Sequence, residues 1–179
     1  RNGRANSKQQ HDLVVLDADG QVVRPAKLWC DPSTSTEARE LSEILGRPVP
    51  TGFTASKVTW LARHEPEAWE RVRHVLLPHD YLNFKLTGRA CMEPGDASGT
   101  GFFDPVTRRF DPEAVQAVDP RLGDSLPELI DSDAPAGRVT AGAALEFGLP
   151  EGVLVSAGGG DNMMSAIGSG ATRAGIVTL

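Results

Sequence analysis

The sequence predicts a domain of the α/β class, in which helices and short strands are mixed along the chain. Two apolar runs, Leu13 to Leu16 and Val153 to Ala157, have the length and composition of buried strands. Between them, several segments have the apolar spacing of helices and are bounded by proline, polar caps and glycine. No internal repeat or low-complexity tract interrupts this order.

The first half of the chain predicts a hairpin followed by helices. The turn residues DADG at positions 17–20 separate the first strand from Val22 and Val23, which resume the apolar pattern. A helix is expected from about Thr34 to Gly46, with Ser33 as its cap. Three more helices are expected at TASKVTWLARH, at EPEAWERVRHVLL and at PHDYLNFKLTG, the last with proline at N1 and glycine beyond its end.

The second half predicts fewer regular elements. Residues 89–110 are rich in glycine and are expected to form strand and turn near a site, and Asp111 is expected to cap a short helix. Residues 119–139 carry several prolines and acids, which favours a surface connection. A helix over Thr140–Phe147 is expected before the Val153 strand, and AGIVTL at the end reads as a further strand.

Composition excludes several classes of protein. The 179 residues carry a net charge of −6 and a pI of about 5.2, which argues against a nucleic-acid surface. No apolar run approaches the roughly 20 residues of a membrane span, and no signal peptide is visible, so a cytoplasmic location is expected. Cys30 and Cys91 are too few for a disulfide framework. No metal site is predicted, and His64, His74 and His79 are expected to be structural.

Asp161 is the most informative acid in the chain because it follows Gly158, Gly159 and Gly160 directly. Apolar residues after it fit helical spacing from Asn162 onward, so Asp161 lies at a strand-to-helix turn near a helix N-terminus. One interpretation is a simple N-cap, which is favourable beside the positive end of the helix dipole. The other is a general base, because glycines allow another molecule to approach the backbone closely.

A resemblance to a known family favours the second interpretation. The segment GFTASKVTWLARH, residues 52–64, resembles the signature of the FGGY carbohydrate kinases, with Lys57 and Trp60 on the pattern. QQHDLVVLDADGQVVRPAKLWCDPST resembles the sugar-loop region of the xylulose kinases in that family, LLPHDYLNFKLTG the following helix, and GDASGTGFFD the site strand. AGGGDN matches the segment that carries the family's catalytic acid.

The resemblance implies an actin-like (ribonuclease H-like) fold, with the sugar held between two domains and ATP clamped by the second. Residues 1–179 are expected to be part of the N-terminal sugar-binding domain, without the nucleotide domain, and inactive alone. The implied reaction is ATP-dependent phosphorylation of a ketopentose, D-xylulose in the first place, with Mg²⁺ accompanying ATP. Ribulose, gluconate or glycerol are alternative substrates, and a non-catalytic sugar-binding module is the alternative from another class. Neither nucleic acid nor membrane is an expected partner, whereas a homodimer is compatible with the resemblance.

The resemblance also assigns site residues. Asp161 is the implied base, and Asn162 beside it would hydrogen-bond a sugar hydroxyl. Gln10 and His11 match positions that hold the sugar, although Lys8 and Asp12 stand where the family usually has glycine. Asp31 is either a sugar-site acid or a helix cap. Asp96 is either a hydrogen-bonding residue near the site or a turn residue.

Overall fold

The computed structural model describes residues 11–177, in which short strands alternate with helices of at most 11 residues. The helices are α1 (Ser35–Leu45), α2 (Thr54–His64), α3 (Pro66–Arg71), α4 (Pro78–Thr87), α5 (Pro94–Ala97), α6 (Pro112–Val118), α7 (Ala141–Phe147) and α8 (Asp161–Gly168). Two 3₁₀ turns are present at Pro32–Thr34 and Leu122–Ser125. None of the helices over residues 11–177 is long and apolar enough to cross a membrane.

The strands pair two by two. They are β1 (Val14–Leu16), β2 (His74–Leu76), β3 (Cys91–Met92), β4 (Phe103–Asp104), β5 (Arg109–Phe110), β6 (Glu128–Leu129), β7 (Pro135–Arg138) and β8 (Leu154–Ser156). The pairs β1–β2, β4–β5 and β7–β8 are antiparallel, and β3–β6 is parallel. The mixed α and β content agrees with the predicted fold class.

The predicted hairpin is only partly correct. The turn at residues 17–20 forms, with Gly20 in a left-handed conformation, and Val22 bridges to Leu16. The main partner of β1 is nevertheless β2, with Val14 opposite Leu76. The helix expected over EPEAWERVRHVLL therefore ends at Arg71, and its last residues form the second strand of this pair.

Further boundaries differ from the expectations. Asp31, and not Ser33, caps the segment before α1, and a 3₁₀ turn precedes the α-helix. Residues 119–139 are more than a surface connection, because they contain β6 and β7. α5 lies within the stretch expected to be strand and turn. No strand forms over residues 174–177, and the rest of the AGIVTL segment lies outside the described residues.

Four groups of buried side chains hold the described elements together. The largest group packs β1 and β2 against α1, α2 and α6, and includes Val15, Leu41, Val58 and Leu61. A smaller group lies beneath β7 and β8 and includes Val155 and Ala157. Each fully buried side chain of this kind contributes about 1.5–3 kcal/mol. The second group anchors the strand that leads into the Asp161 turn.

Candidate functional site

The Asp161 turn begins where β8 leaves the core. Ala157 is buried, Gly158 has a positive φ of 83°, and Gly160 occupies the N-cap position of α8. Asp161 is thus the first residue of the helix and not its cap. Its Oδ1 accepts a hydrogen bond from the backbone N–H of Asn162 at 2.8 Å. Both residues are exposed, so their polar atoms are accessible to another molecule.

A cavity of about 480 Å³ borders this turn. Gly158, Gly159 and Gly160 form part of its wall, together with Met163 and Met164 of α8. Glu93, Arg108 and Asp133 add charged groups to the lining. The glycine backbone is therefore open to a space large enough for a small molecule, although Asp161 itself does not line that space.

His11 lies in a second region. Its φ is 71°, a left-handed conformation, and its Nδ1 donates to the carbonyl oxygen of Gly99 at 2.8 Å. The ring stacks on Phe53, with centroids 4.9 Å apart. A Cβ atom on residue 99 would lie 2.0 Å from His11 Cε1, so only glycine there permits this ring position. Gln10 and Lys8 lie outside the described residues.

Lys57 stabilises the backbone of this second region through hydrogen bonds to carbonyl oxygens. Its side chain is fully buried, and its Nζ donates to the carbonyl oxygens of His11 at 2.9 Å, Phe53 at 3.2 Å and Gly52. Three acceptors match the three hydrogens of an ammonium group. Burial lowers the pKa of Lys57 to about 8, against the opposing effect of the Asp12 and Asp31 charges.

Asp12 stands where the family usually has glycine, and the structure accommodates its side chain. The carboxylate is buried, and Oδ1 accepts from the backbone N–H of Trp29. Burial raises the pKa of Asp12, while the Trp29 hydrogen bond and the charges of Lys57 and His11 oppose that rise. Asp12 therefore ties the His11 segment to the segment that leads to Asp31.

Asp31 acts as a cap in the structure. Its Oδ1 accepts from the backbone N–H of Ser33 at 2.9 Å, and its Oδ2 lies 3.2 Å from Lys27 Nζ. Hydrogen bonding by the backbone and side chain of Ser33 lowers the pKa of Asp31 to about 2. Burial opposes this effect, and the charge of Lys27 adds to it. Lys27 Nζ also lies 3.6 Å from the ring centroid of Trp60. Asp31 is thus held as an anion by its own loop.

Asp96 is part of a buried polar cluster that the sequence did not predict. Its Oδ2 lies 3.1 Å from His79 Nδ1, and Asp80 Oδ1 lies 3.6 Å from the same nitrogen. Burial, followed by the Asp96 charge, raises the pKa of Asp80 well above its ordinary value. Burial opposes the charged form of His79, but the Asp96 hydrogen bond and nearby carboxylates outweigh it and raise the His79 pKa. His79, expected to be only structural, therefore has an ionisable partner.

This cluster has the donor set of a metal site; some of its atoms form hydrogen bonds, whereas Asp80 Oδ1 and Asp96 Oδ1 are buried without a hydrogen-bond partner. One ligand atom from each of His79, Asp80 and Asp96 lies within 4.8 Å of the others. The His79–Asp96 distance is that of a hydrogen bond, and Asp80 Oδ2 accepts from the backbone N–H of Leu77 at 2.9 Å. The i,i+4 spacing of His79 and Asn83 places both on one face of α4, whereas no local pattern relates either residue to Asp96.

The predicted site residues fall into two regions. Lys57 and Asp12 connect His11 to the Asp31 loop, whereas Asp161 and Asn162 lie at the start of α8. Over residues 11–177, no direct hydrogen bond or ion pair joins Asp161 or Asn162 to His11 or Asp31. The fold therefore holds each region separately.

Known proteins resemble this chain over most of its length. The sequence model of the FGGY family of carbohydrate kinases, N-terminal domain, matches residues 3–168. The xylulose kinase of Haemophilus influenzae is 44% identical over 185 residues, covering 97% of this chain and 38% of that protein. Among solved structures, a xyloylose kinase of Brucella ovis is 38% identical with a TM-score of 0.82, covering 92% of this chain and 35% of that one.

A xylulose kinase of Rhodospirillum rubrum matches with a TM-score of 0.86 at 27% identity, covering 97% of this chain and 37% of that one. These likenesses confirm the α/β, actin-like fold of the N-terminal sugar kinase domain. The chain spans little more than a third of the length of the relatives that it matches. On the family match and the 44% identity, the chain belongs to the FGGY family of carbohydrate kinases.

Proposed function

We propose that the protein containing this chain is an ATP-dependent kinase that converts D-xylulose to D-xylulose 5-phosphate. The observation that supports this most directly is Asp161, an exposed carboxylate immediately behind three glycines in a chain of the carbohydrate kinase family. Relatives named xylulose kinase, at up to 44% identity over most of the chain, favour a ketopentose as the substrate.

In this proposal Asp161 is the general base. The terminal hydroxyl oxygen of the sugar attacks the γ-phosphorus of ATP, its proton passes to the Asp161 carboxylate, and ADP leaves with the electrons of the broken P–O bond. General-base assistance of this kind typically contributes about 10²–10⁴ in rate. Gly158 to Gly160 carry no side chains, so the reacting groups can come close to the backbone.

The remaining residues bind and orient the sugar. We assign Asn162 to a sugar hydroxyl because it is exposed beside Asp161. We assign Gln10 and His11 to the sugar loop, whose backbone Lys57 holds through the His11 carbonyl. Asp31 is a weaker candidate, because Ser33 and Lys27 already engage its two oxygens, and a sugar hydroxyl would have to share them.

We further propose that residues 1–179 form part of the N-terminal sugar-binding domain, and that ATP is held mainly by residues outside this sequence. Mg²⁺ prefers oxygen ligands and usually bridges nucleotide phosphates, where it offsets their negative charge. In this proposal Mg²⁺ accompanies ATP, and no residue over positions 11–177 is assigned to it, because Asp161 accepts the proton and Asn162 binds the sugar. The protein's own contribution here is to orient the hydroxyl and accept its proton.

Two alternatives remain distinct from this proposal. In the first alternative, the protein phosphorylates another sugar or polyol, such as ribulose, gluconate or glycerol. A few side chains in the pocket are enough to decide between such substrates. The other alternative is a sugar-binding module without catalysis, which the exposed carboxylate behind the glycines disfavours.

A coupled assay of ADP production by the full-length gene product tests the proposal. The acceptors are D-xylulose, D-ribulose, gluconate and glycerol, each with ATP and Mg²⁺. We expect the highest kcat/KM with D-xylulose. A higher value with another acceptor would reassign the substrate, and sugar binding by calorimetry without ADP production would support the non-catalytic module.

A further inference from the structure

A chain of buried polar groups joins α4 and α5 to the end of β8. Asn83 Nδ2 donates to the carbonyl oxygen of Ala157 at 3.0 Å and lies 3.3 Å from His79 Nε2. His79 Nδ1 in turn lies 3.1 Å from Asp96 Oδ2. The three side chains are at most 1% exposed, so each hydrogen bond forms away from water. We name the chain Ala157–Asn83–His79–Asp96 the relay.

The donors and acceptors of the relay determine which nitrogen atom of a neutral His79 ring carries the proton. A carbonyl oxygen can only accept, so one hydrogen of Asn83 Nδ2 points to Ala157. The second hydrogen points to His79 Nε2, which must then carry a lone pair. The neutral form of His79 therefore carries its proton on Nδ1 and donates it to Asp96, and the hydrogen bond from Asn83 requires this form. Rotating the Asn83 amide would turn Oδ1 towards the Ala157 carbonyl, two acceptors facing each other, which is unfavourable.

The relay engages the last residue before the glycines. Ala157 donates its N–H to the Ala134 carbonyl at 3.1 Å, so Asn83 supplies the partner for its other backbone group. The next residues, Gly158 to Gly160, have the greatest backbone freedom of any residue type. The position of Asp161 therefore depends on where the chain is held before those glycines.

The opposite end of the relay lies next to the His11 region. Asp96 belongs to α5, and its carbonyl oxygen accepts from the N–H of Gly99 at 3.1 Å. The Gly99 carbonyl in turn accepts from His11 Nδ1. One continuous set of hydrogen-bonded residues thus runs from the Asp161 turn to His11 in the proposed sugar loop.

We propose that Asn83, oriented by His79 and Asp96, is a positioning residue that fixes the backbone at Ala157 and thereby sets Asp161 relative to the sugar. This inference rests on the proposed role of Asp161 as the general base. Asn83 acts only through the main chain and touches neither the sugar nor ATP. A misplacement of about 1 Å at a reacting group can cost around 10² in rate, so the loss of this one contact has a measurable effect.

The test uses Asn83→Leu in the full-length protein, with Thr59→Val as the matched control. Leucine has the same branching and the same number of side-chain heavy atoms as asparagine but cannot donate to Ala157. Thr59 Oγ1 likewise donates from a buried site to a backbone carbonyl, that of Val118 at 3.1 Å, but far along the chain from the relay. Each variant therefore loses a buried hydrogen bond from a side chain to a backbone carbonyl, and Asn83→Leu also loses the contact with His79. Asn83→Ala, which removes volume instead of filling it, is the second variant if Asn83→Leu does not fold.

Two measurements are made on each variant. We expect kcat to fall between about 10-fold and 10²-fold in the Asn83 variants, with a much smaller change in KM for ATP. We also expect faster amide exchange at Ala157, whose N–H donates to the Ala134 carbonyl, by about 10-fold or more relative to Thr59→Val. Exchange and kcat equal to those of Thr59→Val would overturn the inference.

Changes at His79 test the middle of the relay. His79→Gln retains an acceptor near the position of Nε2, whereas His79→Leu retains none. We expect His79→Gln to keep kcat within about threefold of the parent and His79→Leu to resemble the Asn83 variants. Equal losses in both would remove His79 from the relay.

Amide exchange separates this inference from the proposed function. If the parent has no kinase activity, or Asp161→Asn keeps the parental kcat, the proposed function fails. The exchange rate at Ala157 in the Asn83 variants still reports whether Asn83 holds the backbone before the glycines.

Discussion

The two regions that carry the predicted site residues are built in opposite ways. Around His11 and Asp31, most polar groups form hydrogen bonds within the protein. Lys57 donates to three carbonyl oxygens, and Asp12 and Asp31 each accept a hydrogen bond from a backbone N–H. At the start of α8 no residue of the helix is buried, and the Asp161 carboxylate accepts one local hydrogen bond.

This difference separates a residue's effect on stability from its effect on chemistry. A buried cation with three acceptors is costly to remove, because each carbonyl left without a partner destabilises the fold. An exposed carboxylate on a helix without buried residues contributes little to folding, so its substitution should change stability little. Substitutions in the two regions should therefore affect different measurements.

The largest effect is expected at Asp161. Asp161→Asn keeps the size of the side chain but removes the proton acceptor, so kcat should fall by about two to four orders of magnitude. The thermal midpoint should change little, because a first-turn acid contributes only about 0.3–1 kcal/mol through the helix dipole. Steady-state kinetics and a thermal melt on the same preparation test both statements.

Glu113→Gln is the matched control for Asp161→Asn. It removes an exposed acid from the first turn of α6, away from the glycine segment. Its melt should resemble that of Asp161→Asn while its kcat remains parental. An Asp161→Asn protein with parental kcat would end the assignment of this residue as the base.

Lys57→Met should show the reverse pattern, with a loss of stability of about 3 kcal/mol. Methionine fills much of the same space but leaves the carbonyls of His11 and Phe53 without their donor and Asp12 without a nearby cation. Urea unfolding monitored by fluorescence measures the change. A midpoint equal to that of the parent would show that Lys57 does not hold this region together.

His11 is expected to affect substrate binding more than chemistry. His11→Ala should raise KM for the ketose by roughly 10-fold, the loss of one hydrogen bond of about 1.4 kcal/mol, and leave KM for ATP nearly unchanged. Gly99→Ala should act in the same direction, because a Cβ there would displace the His11 ring.

Gly142→Ala in α7 controls for the added methyl group, since nothing lies within 4 Å of a Cβ at that position. It should leave both KM values at those of the parent. An unchanged KM for the ketose in both His11→Ala and Gly99→Ala would place His11 outside the sugar site.

The smallest effect is expected for the change with pH in the contribution of Lys57 to folding stability. The pKa of Lys57 is about 8 in the folded protein and 10.5 when unfolded, so the unfolded chain binds more protons between these values. The contribution of Lys57 to stability therefore rises with pH, by about 1 kcal/mol between about pH 8 and pH 9. The rise begins at about pH 7, and below that pH the contribution is constant.

The difference in stability between parent and Lys57→Met isolates this titration. The raised pKa of Cys91, about 11, acts with the opposite sign above pH 9 but cancels in the difference because both proteins contain it. Unfolding midpoints between pH 7 and 9 measure the trend. A difference that stays constant over this range would mean that Lys57 does not titrate there.

How much of the molecule the sequence predicted depends on how local each feature is. The helix α4 was placed correctly from Pro78 and Gly88, and α6 from its Asp111 cap, because these signals lie within a few residues of the element. β2 was mistaken for helix, because its identity depends on pairing with β1, about 60 residues earlier.

The same rule applies to the site. The turn at Asp161 could be predicted from the glycines before it and the helical spacing after it. The roles of Lys57 and Asn83 could not, because each bonds a backbone carbonyl far away in sequence, that of His11 or Ala157. Backbone acceptors leave no mark on the composition of the segment that provides them.

The pairing of β1 with β2 has a consequence for biosynthesis. Val14 cannot pair until Leu76 has been synthesised. Because translation proceeds at about 5–20 residues per second, β1 remains unpaired for roughly 3 to 12 s after its synthesis. During that interval an apolar strand edge is available to other nascent chains. The His11 segment, which depends on β1 for its position, cannot yet adopt its final structure. Slow translation upstream of Leu76 would lengthen this exposure, whereas early binding by a chaperone would cover it.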